Sequence, residues 1–419
     1  MGFGGRRRDS LRSMPMKFAY FVRPHLGGTY TVFKQLRKGL AMHGIDVHWL
    51  GFGDPLLPEW QSEAAFGTMV DASEAADEQE QARLVASAVQ NGGFDGVFVN
   101  VLTDRIQMNI ARYLPADVMR IMIVHNITPG TYAAAVAIKD HVHATIGVSE
   151  RCRRDLIEKY RFDKERTFVI ANAIDIEPFT ALKRVSRGTH GLKMLSLGRI
   201  EDASKGVFWL PGIMDNSPAS VSLTIAGNGP DLEQLKRKLA HHKDRVTFLG
   251  AIQPDRIPQL LFEHDVLVMP SRFEGYPMTL IEAMASGCVP IVSHIQGVTD
   301  TIVADKKSGF LFPVGDYAEA ARIISKLNAD PAELASASFA AREAAEHAFT
   351  FEGMANRYYH VIDRVVATRP AIAAPLDLNN WAFPRGLRSG LRTYVPRPVK
   401  NWLRVMRERY PYTPFGSFS

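Results

Sequence analysis

Short apolar runs alternate with helically spaced segments twice over along this chain, and that alternation is its strongest constraint on fold. The first series has apolar runs at Lys17–Val22, Asp46–Gly51, Gly96–Asn100, Met119–Val124, Ala144–Val148 and Thr167–Ile170. Helical spacing separates them at Tyr30–His43, Glu78–Gln90, Asp104–Tyr113 and Ser149–Tyr160, the last with Ser149 placed to cap it. The second series has runs at Lys193–Leu197, Val221–Ala226, Arg245–Leu249, Val266–Met269, Val289–Val292 and Gly309–Phe312. Its helical segments fall near Gly206–Ile213, Asp231–His241, Pro254–Glu263, Thr279–Ser286 and Asp316–Leu327. Strands followed by helices predict parallel sheets covered on both faces, so the fold class is α/β with two doubly wound domains.

The expected divisions are a disordered basic leader at 1–15, an N-terminal domain at 16–180, a C-terminal domain at 181–350, and a region at 351–419. The last combines a helix crossing back with a basic tail. Residues 172–190, with Pro178 and Gly188, read as the linker. Ligands of such sheets bind beyond the carboxyl ends of the strands, so a cleft between two facing domains is the expected site.

Composition narrows the function. With 419 residues, 46% of them hydrophobic, the chain can fill two cores. No apolar run approaches the roughly 20 residues of a membrane span, and Arg6, Arg7 and Arg8 lead into Asp9 and Ser10, not into a signal sequence. The only two cysteines, Cys152 and Cys288, read as small core residues in a reducing cytoplasm. Of the net +6, residues 380–419 supply +7, from eight cations against Glu408, and the other 379 residues sum to −1. A body of that charge argues against a nucleic-acid-binding face.

Three glycine-bearing junctions carry the chemistry. The stretch Pro270–Gly287 reads as strand end, loop and helix, a layout that turns backbone N–H groups and a helix N-terminus toward an anion. Glu274 stands in its loop and Glu282 in the first helical turn. Thr279 and Glu282 also have the spacing of a capping box. In Gly198–Gly206, Arg199 and Lys205 suit a diphosphate, though alone they read equally as solvated loop charges, as do Glu201 and Asp202. Ala226-Gly-Asn-Gly-Pro230 is a further glycine turn.

Taken in order, G-R-x(5)-K-G, A-G-x-G-P, F-x-G and E-G-x-P-x-x-x-x-E-A-M-A-x-G-x-x-P resemble the retaining GT-B glycosyltransferases of family 4. The similarity runs from the Gly27-Gly28 loop through Val148-Ser-Glu150 and Asn172 to Gly309–Phe312. It implies a nucleotide-diphosphate-sugar donor held mainly by the C-terminal domain and needing no cofactor. Arg199 and Lys205 would neutralise the donor diphosphate, and Glu274 would hold sugar hydroxyls. The backbone of Gly275, Tyr276, Pro277, Met278 and Thr279 would approach sugar and phosphate. Glu282 would accept from the ribose diol, and the backbone near Gly250 and Ile252 would meet the base. Gly227 and Gly229 would line the donor site, Gly27 and Gly28 would let the main chain near the phosphates, and His125 would reach the sugar across the cleft. The side chains of Arg272 and Tyr276 are left to packing or the rim. Two departures stand out: Ala173 follows Asn172, and the Arg199-to-Lys205 loop is stretched.

The resemblance implies transfer with retention to a saccharide or lipid-linked acceptor, in cell-surface polysaccharide or glycolipid synthesis. The acceptor would be read by loops around 52–75 and 126–140. No DxD-type acidic cluster is present, so no divalent metal is expected. The tail interleaves cations with Leu387, Leu391, Tyr394, Trp402, Leu403 and Met406, which suits an anionic membrane surface through 385–409, although Pro396, Pro398 and Pro411 should break a long helix. The other reading packs the tail on the N-terminal domain. A peripheral protein on the inner face of the cell membrane is the expected location. The competing functions are a catalytically weak nucleotide-sugar-binding subunit and a same-fold epimerase.

Overall fold

The computed structural model describes residues 15–25, 27–53, 58–101, 104–181, 191–388 and 396–409. The expected leader, apart from its last residue, lies outside the described residues, as do the linker half 182–190 and the tail residues Leu391, Arg392, Tyr394 and Pro411. Among the described residues, no helix is long and apolar enough to cross a membrane.

The first compact unit comprises Met1–Gly147, Asp155–Ile170 and Phe351–Arg388. Its strands are β1 (Met16–Phe21), β2 (Ile45–Gly53), β3 (Gly67–Asp71), β4 (Gly96–Asn100), β5 (Met119–Val124), β6 (Ala144–Gly147) and β7 (Thr167–Val169). They form one parallel sheet in the order β3-β2-β1-β4-β5-β6-β7. The central strands β4 and β5 are buried along their whole length. Phe18 and Phe98 meet at 5.0 Å between ring centres, and Tyr358 closes on Phe98 edge-on from the helix Phe351–Thr368. That helix also stacks Tyr359 on His43 at 4.4 Å, so the C-terminal helix belongs to this unit.

The second unit comprises Val148–Arg154, Ala171–Thr350 and Ser389–Ser419. Its strands are β8 (Lys193–Leu197), β9 (Ser222–Ala226), β10 (Val246–Gly250), β11 (Val266–Met269), β12 (Val289–His294) and β13 (Phe310–Pro313). All pair in parallel, in the order β10-β9-β8-β11-β12-β13. Leu192, Met194, Leu223, Val266, Val268 and Ile291 fill its core from the sheet, and Leu210, Ile213, Ile324 and Leu327 from the helices.

Several expectations are revised. The compact units differ in bounds from the expected domains: 148–154 and 171–180 lie with the second unit, and the region 351–419 divides, with Phe351–Arg388 in the first unit and Ser389–Ser419 in the second. Strand β3 went unread because only Val70 of its five residues is buried, leaving no alternation to read. The stretch 52–75 therefore holds a strand, and 126–140 holds a helix, Pro129–Ile138, capped by the Thr128 hydroxyl. The segment expected as one helix over Gly206–Ile213 is a one-turn helix Asp202–Lys205, a 3-10 turn Val207–Trp209 and a helix Leu210–Asp215. Gly206 makes the break: it ends the first turn in the left-handed region (φ 60°), and a Cβ there would sit 2.1 Å from the Pro270 carbonyl oxygen. Pro396 and Pro398 do not break the tail helix. They sit at its start, where no N–H is needed, and the helix runs Arg397–Arg409.

Candidate functional site

In the second sheet the strand order reverses between β8 and β11, and the loops that follow these two strands carry the predicted cations and carboxylate. Such a switch point is where doubly wound sheets bind ligands. The loop after β8 holds Arg199 and reaches Lys205 at the end of the one-turn helix; the loop after β11 holds Glu274. Lys205 Nζ donates to Glu274 Oε1 at 2.7 Å, and Ser271 Oγ donates to the same oxygen at 2.7 Å. Glu274 is buried while the Lys205 side chain keeps a third of its surface. The Arg199 side chain is 68% exposed and, among the described residues, pairs with Glu201 at 3.8 Å. It is free to turn toward an anion.

Glu201 and Asp202 do not both behave as loop charges. Asp202 is buried, and Arg272 grips it with Nη2 at 3.0 and 2.8 Å from the two carboxylate oxygens and Nε at 2.9 Å from its carbonyl. The Arg272 guanidinium lies 3.9 Å over the Trp209 ring, and its backbone N–H donates to Ser204 O. Asp202 Oδ1 also accepts from Phe208 N, and Asp202 N donates to Asp231 Oδ2. Arg272, expected as packing or rim, instead clamps the Glu274 loop to the Lys205 turn. An Asp three residues before Lys205 and an Arg two before Glu274 were visible in the sequence, but nothing there said that the two loops meet.

The glycine turn after β9 seats the same loops. Gly227 has φ 138°, and a Cβ on it would lie 1.8 Å from Gly198 O, so only glycine fits against the Arg199 loop. A Cβ on Gly229 would lie 2.3 Å from Ile200 O. The role on the page for both glycines is loop-to-loop contact. Gly250 ends β10 beside open space, and Ile252 packs against the cluster of Leu195, Ala226 and Leu267.

The helix Met278–Ala285 follows Gly275, Tyr276 and Pro277, all three buried, with Met278 and Thr279 half-buried. Its N-cap is Pro277 and no side chain caps it. Thr279 and Glu282 therefore miss the cap positions by two residues, and no capping box forms. Leu280 N donates to Pro277 O at 3.2 Å, which leaves the N–H groups of Met278 and Thr279 at the helix start to face an acceptor. Glu282 makes no side-chain hydrogen bond or ion pair among the described residues, and loss of water pushes its carboxyl up to about 7. An acid held that way without a partner is a binding-site signature.

In the first unit the order reverses between β1 and β4; the predicted Gly27 and Gly28 follow β1, and His125 follows β5, the strand beside β4. Gly27 caps the helix Gly28–Ala41 without a side-chain bond, and a Cβ on Gly27 would press on the His25 ring at 2.8 Å. His125 follows β5, and its Nε2 meets Asn100 Oδ1 at 2.7 Å, while Asn100 Nδ2 donates to Phe21 O. The amide orientation gives Nε2 the proton and leaves Nδ1 a lone pair. Burial holds the imidazole down at about 4, so it is neutral at pH 7. Asn100, unremarked in the sequence, thus fixes the His125 tautomer.

One Asp–His group gathers its ligand atoms among the described residues, Asp215 with His241 and His242. Both rings point Nε2 at Asp215 Oδ1, and Arg245 Nη2 faces His242 Nδ1 at 3.3 Å. A cation on His242 Nε2 would turn an Nδ1 proton against that guanidinium, so the group does not fit a metal. It precedes β9 and β10, at the opposite strand ends from Lys205 and Glu274.

Two Rossmann-like units with anion-directed loops at their switch points define a GT-B fold. Residues 191–330 match the family Glycosyl transferases group 1. The structure of Anabaena Alr3699/HepE in complex with UDP and glucose superposes with a TM-score of 0.70 at 18% identity, over 83% of this chain and 100% of that one. The D-inositol 3-phosphate glycosyltransferase of Mycolicibacterium smegmatis is 28% identical over 265 residues, 59% of this chain and 57% of that one. The Escherichia coli UDP-Gal:alpha-D-GlcNAc-diphosphoundecaprenol alpha-1,3-galactosyltransferase is 29% identical over 178 residues, 38% of this chain and 44% of its own. The chain thus spans about half the length of these curated relatives.

Proposed function

We propose that the protein is a retaining hexosyltransferase of family 4 that moves a sugar from a nucleotide-diphosphate sugar to a saccharide or lipid-linked acceptor. The supporting observation is the Lys205–Glu274 pair, 2.7 Å apart at the second sheet's switch point, with the uncapped helix Met278–Ala285 opening from the same loop. A donor diphosphate would draw Lys205 from Glu274 and bring in Arg199. Glu274, still held by Ser271, then accepts from sugar hydroxyls. Glu282 takes the ribose diol, and backbone near Gly250 and Ile252 meets the base. In the first unit, Gly27 and Gly28 lie where backbone can approach an anion, and His125 offers Nδ1 to a sugar hydroxyl.

The bond from the anomeric carbon to the β-phosphate oxygen breaks, and negative charge grows on the phosphate. Arg199, Lys205 and the helix N-terminus stabilise it without a metal or cofactor. The acceptor oxygen bonds to the anomeric carbon on the face the phosphate leaves, and its proton passes to the departing phosphate, giving retention. The E. coli relative, named for a diphosphoundecaprenol substrate, favours a lipid-linked acceptor; cell-surface polysaccharide or glycolipid synthesis by a peripheral protein on the inner face of the cell membrane is part of the same proposal.

A thermal-shift panel of nucleotide sugars, headed by uridine diphosphate sugars, tests the donor. NMR of the product then reads its anomer. An α-donor giving an α-product supports the reading, and an inverted product overturns it. Donor binding without release of nucleoside diphosphate in the presence of any acceptor would favour the non-catalytic subunit.

A further inference from the structure

The tail helix Arg397–Arg409 turns its polar side inward. Asn401 Nδ2 reaches Asp202 Oδ2 at 3.4 Å, and Arg404 Nη1 donates to Ala203 O at 2.7 Å with its guanidinium 4.4 Å over the Phe273 ring. Glu408 pairs with Arg151, both side chains nearly buried, and Arg409 Nε donates to Val314 O. The opposite stripe is apolar and open: Val399, Trp402, Leu403 and Met406 keep 46, 60, 53 and 37% of their surface. Their spacing of three, one and three residues puts them on one face. Four large apolar side chains in one exposed patch mark a contact surface.

We propose that this stripe docks the protein on an anionic lipid bilayer, with Trp402 and Leu403 entering the interface and the neighbouring cations meeting headgroups. The proposal deepens the membrane-surface part of the reading above by naming the surface that makes the contact. Charge complementarity selects the occupant. The helix carries Arg397, Lys400, Arg404, Arg407 and Arg409 against one acid, Glu408, which is paired with Arg151. A second copy would set two such segments against each other, like charge on like. At 13 residues the helix is about 20 Å long, too short to span a bilayer and suited to lying on one. Its polar face rests on Ala203 and Phe273, neighbours of the Lys205 and Glu274 positions, so the lipid contact sits behind the proposed donor loops.

Sedimentation of the full chain with vesicles tests the proposal, using phosphatidylcholine alone or with about 30% phosphatidylglycerol. The expected result is binding to the anionic vesicles about tenfold or more above the neutral ones, weakened by salt. The double variant Trp402→Glu, Leu403→Glu should lose that binding while keeping the parent melting temperature and nucleotide-sugar response. Equal sedimentation with both vesicle types, or a double variant that binds like the parent, overturns the proposal. So does a parent dimer, seen by light scattering, that the double variant abolishes. A protein that binds anionic vesicles but no nucleotide sugar would sink the transferase reading and leave this one standing; the reverse result would sink only this one.

Discussion

Replacing Glu282 by glutamine should stabilise the ligand-free protein at alkaline pH while weakening its hold on a nucleotide. The Glu282 carboxyl is raised by loss of water from 4.5 to about 7. That gap corresponds to about 3 kcal/mol. Below pH 4.5 the group is protonated in folded and unfolded chains alike and contributes nothing. Between 4.5 and 7 the unfolded chain ionises and the folded one does not, so stability falls as pH rises, and above 7 the full penalty applies. Glutamine does not titrate, so the variant loses that slope. At pH 8 it should be the more stable by about 1–2 kcal/mol, once the cost of an unpaired amide is subtracted. Near the midpoint that is roughly 3–6 °C for a domain of this size. At pH 4.5 the advantage should vanish. Urea unfolding of parent and variant across pH 4.5–8 gives the difference curve, in which other carboxylates cancel. A flat difference curve would refute the argument. The same variant should bind a nucleotide sugar roughly 10- to 100-fold more weakly, since a charged acceptor for two ribose hydroxyls is lost.

Arg272→Ala should cost about 3–5 kcal/mol, because it strands the buried Asp202 carboxylate, and it should lower the melting temperature before any effect on donor is considered. Gly227→Ala forces a Cβ to 1.8 Å from Gly198 O at φ 138°; a loss of about 1–3 kcal/mol in urea unfolding is expected, and unchanged stability would contradict the close approach. Asn100→Ala removes the acceptor of Nε2–H, so nitrogen-15 NMR of His125 should find the single Nε2–H tautomer replaced by a mixture, and an unchanged tautomer would contradict that role for Asn100.

The sequence read the second sheet well because its central strands β11 and β12 are almost wholly buried and most of its strands end at or just before a glycine or proline. Strands β8 and β11 fall on the expected residues, and the others shift by a residue or two. What it could not supply was which charges meet. Asp202 and Arg272 lie 70 positions apart, and only the adjacency of β8 and β11 turns two loop charges into a buried clamp. The capping-box reading of Thr279 and Glu282 failed on helix phase, since starting the helix at Met278 removes the cap. The tail's mixture of cations and apolar residues was legible as amphipathic, but not which side faces inward. That depends on Glu408 finding Arg151 and Arg404 finding Ala203 and Phe273, long-range contacts with no local signal.

Donor-dependent release of nucleoside diphosphate, measured for the parent, Lys205→Ala and Glu274→Ala, tests the central claim most directly. Each substitution removes one side of the 2.7 Å pair and should cost roughly 3 kcal/mol of transition-state stabilisation, on the order of 10²-fold in turnover. With donor bound, Lys205 acts on the diphosphate and Glu274 on sugar hydroxyls, so the double variant should lose more than either single one. Turnover close to the parent's in either single variant would contradict the account.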